Sequence, residues 1–290
     1  MDIPSLQHIN LPSGRLVYRT YGSGPPLLLL HGWGGSSRHW LGAFAVLANN
    51  HTLYAPDLPG FGESPPRLSS GGLRGLATTV LEFIDALGLE TLKLAGHSLG
   101  GAIALLVAAS RPQRVSQLAL ISFGLPRTSH EGIYHSGLSV QLSLTVALWA
   151  PWLLAWRPWQ SISRPWREMA WTTPPLPALL AKPMIHHLPE PEMLSLGISD
   201  LVAMDALTAL EGAASQGDPA VGLSLPRATM PTLILSGRQD PIFPPASATA
   251  LAAALPGAAL ALIDACGHVP MAEQPGVCYQ HLRAFFSTGG

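Results

Sequence analysis

The sequence predicts an α/β domain: a mostly parallel sheet covered by helices on both faces and interrupted by a helical insertion. Three observations predict it. Short apolar runs alternate with helix-length stretches through residue 123. The alternation stops at residue 124 and resumes after residue 230. A glycine-flanked serine, Gly96-His97-Ser98-Leu99-Gly100-Gly101, stands between a strand pattern and a helix pattern.

Residues 16–21 and 26–30 read as strands, the second a leucine run suited to a strand buried on both faces. Residues 38–48 read as a helix and 52–55 as the next strand, followed by a Pro/Gly-punctuated turn region at 56–66. Residues 73–87 form a helical pattern stopped by Gly88. A strand at 91–95, an apolar helix at 100–110 ending before Pro112, and a strand at 115–123 complete this part. Between residues 124 and 229 lie Pro-rich loops and helical pieces with no convincing strand, and six of the eight tryptophans: Trp149, Trp152, Trp156, Trp159, Trp166 and Trp171. The pattern then returns as a strand at 232–236, a helix at 246–255, a strand at 259–263 and a closing helix at 272–286. The reading is one α/β core, residues 1–123 and 230–290, carrying a helical cap at 124–229.

With 290 residues, 48% hydrophobic and 11% charged, the chain can bury a large core and is not disordered. Sixteen basic and seventeen acidic residues give a net charge of -1, which argues against a nucleic-acid partner. Two cysteines cannot build a disulfide framework or a cysteine-rich zinc site. The N-terminus shows no basic segment followed by an apolar one, so the expected location is cytoplasmic. Residues 132–156 carry no Asp, Glu, Lys or Arg; Gln141, the Ser/Thr residues and Pro151 favour a buried or interfacial helix pair over a membrane span, leaving membrane-surface contact through the cap open.

The chemistry is concentrated in four segments. Ser98 fits a G-x-S-x-G elbow, where a sharp strand-to-helix turn presents a nucleophile and the glycines relieve crowding. A serine needs a base, and the base an orienting acid. Asp240 follows the strand at 232–236, and His268 follows the strand at 259–263. All three therefore fall at the carboxyl edge of the sheet, where open parallel sheets place their sites. For the oxyanion, the backbone amides of Trp33, in His31-Gly32-Trp33-Gly34-Gly35, and of Leu99 are the expected donors. The Trp33 indole, with Trp149, Trp152 and Trp156, is the expected substrate pocket.

These segments resemble the α/β-hydrolase superfamily of helical-cap serine carboxylesterases. The resemblance rests on HGWGG at 31–35, DLPGFGES at 57–64, GHSLGG at 96–101, GRQDPIFPP at 237–245 and GHVPMAEQP at 267–275. It implies an eight-stranded α/β-hydrolase sheet with the cap after the sixth strand, and hydrolysis of a carboxylic ester without metal or organic cofactor. The first two segments are similar to those of pimeloyl-[acyl-carrier-protein] methyl ester esterases, which implies a small-molecule ester that a carrier protein can present. The insertion here looks longer than the cap of those esterases. Ser98 at the elbow sets the chain apart from dehalogenases and epoxide hydrolases of this fold, which use aspartate there.

Other residues compete for these roles. Asp264 is the alternative triad acid, ranked below Asp240. Asp57 is expected to scaffold its loop through backbone amides, His31 to be a structural hydrogen-bonder, and His97 to pack or bond locally. His186 and His187, near Glu190 and Glu192, invite a metal reading, but adjacent residues point apart, so a cap loop is expected and no metal site is assigned. Pairing of Cys266 with Cys278 stays open. Alternative functions are a carbon–carbon bond hydrolase, a monoacylglycerol-type lipid hydrolase, and a receptor with vestigial catalysis.

Overall fold

In a computed structural model, which describes residues 4–69, 71–125, 182, 184–214 and 218–288, an eight-stranded sheet forms the centre of the molecule. The strands are β1 (Ser5–Leu11), β2 (Gly14–Gly22), β3 (Pro26–Leu30), β4 (Thr52–Asp57), β5 (Leu92–His97), β6 (Val115–Ile121), β7 (Thr232–Gly237) and β8 (Ala259–Ile263), in the spatial order β1-β2-β4-β3-β5-β6-β7-β8. β1 pairs antiparallel with β2, and β2 with β4; every other pairing is parallel.

β1 is the element that the sequence pattern does not reveal. Its first six residues are exposed or half-buried, and only Leu11 is buried. An edge strand held by β2 alone buries too little to need an apolar face. The structure also extends β4 to Asp57, so that residue ends a strand rather than standing in the following loop.

The parallel centre is legible because it is buried twice. Alternate residues of β3 enter opposite cores: Leu28 and Leu30 face one layer, Leu27 and Leu29 the other. The first layer is closed by α2 (Gly72–Ala86), α3 (Leu99–Ser110) and α7 (Pro245–Ala254), through Leu76, Val80, Phe83, Ile103, Leu106 and Leu251. The second is closed by α1 (Leu41–Leu47) and α9 (Pro275–Ser287), through Phe44, Leu47, Leu282 and Phe286. At roughly 1.5–3 kcal/mol per large apolar side chain buried, this pair of cores fixes the sheet and with it the ends of β5, β7 and β8.

Between β6 and β7 the described residues form α4 (Pro191–Ala203), α5 (Ala206–Ala214) and α6 (Pro219–Ser224). They are tied to the core at several points. Asp200, buried on α4, accepts hydrogen bonds from Ser36 Oγ (2.7 Å) and Arg38 Nε (3.1 Å). Asp205 N–H donates to Gly60 O at 2.8 Å, and Arg74 pairs with Asp218 at 3.2 Å. Burial raises the Asp200 carboxyl above its ordinary range, against the opposing pull of Arg38 and Ser36. The uncharged stretch at 132–156 lies outside the described residues; among the described ones, no helix is long and apolar enough to cross a membrane.

Candidate active site

Ser98 sits between β5 and α3 at φ 52°, ψ −115°, a backbone region that side chains other than glycine rarely adopt. Such strain persists only where the surroundings impose it, and here they do. A Cβ on Gly96 would stand 2.1 Å from Gly100 O, and one on Gly100 2.4 Å from Leu30 O. Those two glycines let the strand, the turn and the helix close to backbone contact. Ser98 is thereby held at the amino end of a twelve-residue helix, whose dipole favours negative charge.

The structure brings Ser98, His268 and Asp240 together from the ends of three strands. His268 Nε2 lies 3.1 Å from Ser98 Oγ. His268 Nδ1 lies 2.9 Å from Asp240 Oδ2 and 3.1 Å from Oδ1. With Asp240 as an acceptor, Nδ1 carries the proton and Nε2 accepts from the serine hydroxyl. Asp240 is itself fixed, because its Oδ1 accepts the amides of Ile242 (2.8 Å) and Phe243 (2.9 Å). The Phe243 ring stacks over the His268 imidazole with centroids 6.1 Å apart and packs on Phe123 at 5.7 Å. This pair of rings packs on the histidine side of the triad, and in the sequence each phenylalanine alone reads as core.

Asp264, the competing acid, does not reach His268. Its side chain is 80% exposed and pairs with Arg238. Asp57 is a scaffold: Oδ1 accepts Ser37 N–H at 2.6 Å and Oδ2 accepts Glu63 N–H at 2.9 Å, bracing the two loops beside the site. His31 is structural, donating from Nδ1 to Gly32 O (2.8 Å) and accepting Leu58 N–H at Nε2 (2.9 Å). His97 places Nε2 at 2.8 Å from His268 O.

Leu99 opens α3 directly after Ser98, and Trp33 lies in the loop after β3. The Trp33 indole donates to Ala209 O of α5 at 3.0 Å, and Gly212 packs against the indole and Leu99. Trp33 therefore joins the loop after β3 to α5. Trp149, Trp152 and Trp156 lie outside the described residues. A separate cavity of about 320 Å³ beside α5 is lined by Arg67, Leu68, Thr208, Glu211 and Gly212, and contains no triad residue.

The backbone of His186 and His187 is held by Glu273. His186 and His187 donate their N–H groups to Glu273 Oε2 at 2.6 and 3.1 Å. Among the described residues, no group of three His, Cys, Asp or Glu side chains could hold a metal ion. Cys266 and Cys278 are both free and buried, and burial pushes the Cys266 thiol up to about 12.

Burial pushes the imidazoles of His31 and His39 down to about 4. His39 is therefore neutral at pH 7, and its 3.5 Å contact with Asp200 is not an ion pair there. The unfolded chain protonates these rings near pH 6.5, the folded one only near 4. Between those values the unfolded state binds more protons, so stability falls as pH falls, by up to about 1.4 kcal/mol per pH unit for each ring. The urea midpoint should drop clearly from pH 7 to pH 5; an unchanged midpoint would contradict neutral burial.

With the geometry in place, the comparisons decide the family. The family described as alpha/beta hydrolase fold matches residues 25–275. The chain belongs to that family. An uncharacterized protein of Mycobacterium tuberculosis is 28% identical over 287 residues, 98% of this chain and 82% of its own. RutD of Pseudomonas savastanoi pv. phaseolicola, named for carbamate hydrolysis, is 28% identical over 275 residues, covering 89% of this chain and 93% of its own. The crystal structure of a membrane phospholipase A, described as a bacterial virulence factor, superposes with a TM-score of 0.73 at 28% identity, covering 98% of this chain and 86% of that one. The α/β-hydrolase chain is thus placed among hydrolases.

Proposed function

We propose that this α/β hydrolase cleaves a carboxylic ester of a hydrophobic acyl or aromatic substrate through an acyl-enzyme on Ser98. The observation that carries the reading is the unbroken Ser98–His268–Asp240 hydrogen-bond chain on a strained elbow. In this reading His268 takes the hydroxyl proton as Ser98 Oγ attacks the ester carbonyl, and Asp240 stabilises the imidazolium. The amides of Trp33 and Leu99 hold the tetrahedral oxyanion, each worth roughly 2.7–4 kcal/mol by comparison with a measured donor. The intermediate collapses, His268 gives the proton to the departing alcohol, and the acyl group stays on Ser98. A water deprotonated by His268 then releases the acid and restores the serine.

Residues 124–229 serve in this reading as the cap over the acyl site. The substrate is a small-molecule ester, free or carrier-borne. Phe243, stacked on the His268 ring, and Phe123 packed on it suit an apolar acyl or aryl group, and the Trp33 indole, bonded to Ala209 O, is taken to join them in lining the pocket.

The test is a p-nitrophenyl ester series from acetate to palmitate, with an aryl carbamate beside it. Ser98-dependent turnover with a chain-length optimum supports the ester reading and sizes the pocket. A carbamate turned over faster than every ester would overturn it, as would activity confined to a ring-fission ketone. Ligand retention with negligible turnover would favour a receptor. A second reading, a lipid ester taken at a membrane surface, draws on the likeness to the phospholipase A. It requires long-chain preference and liposome binding.

A further inference from the structure

We propose that Glu273 is a positioning residue for the histidine base, holding the His268 loop to the segment at 184–187 so that the imidazole meets Ser98. This rests on the serine-hydrolase reading above. Glu273 stands at the end of α8 (Pro270–Glu273), is 9% exposed, and accepts four backbone N–H groups. Oε2 takes those of Gly267 (2.9 Å), His186 (2.6 Å) and His187 (3.1 Å), and Oε1 takes that of Val269 (3.0 Å). Both neighbours of His268 are thus fixed by one carboxylate.

The amide of His268 itself donates to Met184 O at 2.9 Å, and its carbonyl accepts from His97 Nε2 at 2.8 Å. Residues 267–269 therefore have no free amide, and every one is held either by Glu273 or by the segment that Glu273 also holds. The approach of the two segments is close: a Cβ on Gly267 would stand 2.7 Å from His186 N and 3.0 Å from Ile185 Cα. Only glycine admits that contact.

The chemistry explains why a carboxylate is needed. Four N–H donors from two segments converge on Glu273; that of Gly267 is buried and the other three are part-buried, so the Gly267 amide carries the largest desolvation cost if the carboxylate is lost. A glutamine offers one oxygen and turns an amide group toward at least one donor. Alanine leaves all four unmet. In either case the imidazole loses its fixed backbone, and a misplacement of about 1 Å costs up to about 10²-fold in rate. Substrate contacts are untouched, since Glu273 faces the backbone of the histidine loop.

The experiment measures kcat and KM on p-nitrophenyl butyrate, and the rate and end-point of fluorophosphonate labelling, for wild type, Glu273→Gln, Glu273→Ala and Gly267→Ala. Expected is a fall in kcat and labelling rate of about 10- to 100-fold, with KM within about twofold and the labelling end-point unchanged. Glu273→Ala should be affected more than Glu273→Gln. Gly267→Ala retains Glu273 but crowds both segment 184–187 and the Glu273 carboxylate, whose Oε1 would stand 3.0 Å from the new Cβ, and should show the same split. If kcat per labelled site stays at the wild-type value, with any lost activity following only the loss of folded protein, the inference is overturned. Wild type that fails to label at Ser98 would instead overturn the serine reading.

Discussion

Ser98→Ala is expected to lower kcat on the best p-nitrophenyl ester by about 10⁶-fold while leaving the fold intact. The size follows from the site. In the proposed reaction Ser98 Oγ alone attacks the carbonyl, and Ser98 Oγ is the hydroxyl that stands 3.1 Å from His268 Nε2 along this chain of hydrogen bonds. The residual rate would come from water with the oxyanion donors still in place. Because alanine also relieves no glycine requirement at φ 52°, the strain of the elbow remains and unfolding midpoints should change little. A fall of less than tenfold would mean that another group carries the reaction.

Asp240→Asn is expected to cost about 10⁴-fold in kcat. Asp240 accepts the Nδ1 proton of His268 and is held in turn by the amides of Ile242 and Phe243. Asparagine preserves those shapes yet can present an amide N–H to Nδ1, which selects the wrong tautomer and leaves the proton on Nε2, where the serine hydroxyl should donate. Asp264→Asn supplies the control: its carboxylate is exposed and bound to Arg238, so turnover should stay within about twofold of wild type. The reverse pattern would move the acid role to Asp264.

How much of this was legible in the sequence follows from what each residue must do alone. The β3 leucine run had to be apolar on both faces, so it showed plainly. β1 needs only a neighbour's backbone, and its mixed, exposed side chains left no period to read. Ser98, Asp240 and His268 were visible because each follows a recognisable strand and the glycines at 96 and 100 are demanded by backbone contact. Glu273 has no role legible in the sequence, since a single acidic residue before Pro275 looks like any solvated carboxylate until the fold converges four amides on it. Asp200 escaped for the same reason: its partners Ser36 and Arg38 are more than 160 positions away in sequence. Long-range polar convergence leaves no local pattern.

The measurement that tests the central claim most directly is mass-spectrometric mapping of the adduct formed with a fluorophosphonate. The account predicts one adduct per chain, on Ser98, absent from Ser98→Ala and formed far more slowly in His268→Ala. An adduct on a different residue, or undiminished ester turnover once Ser98 is fully modified, would contradict it.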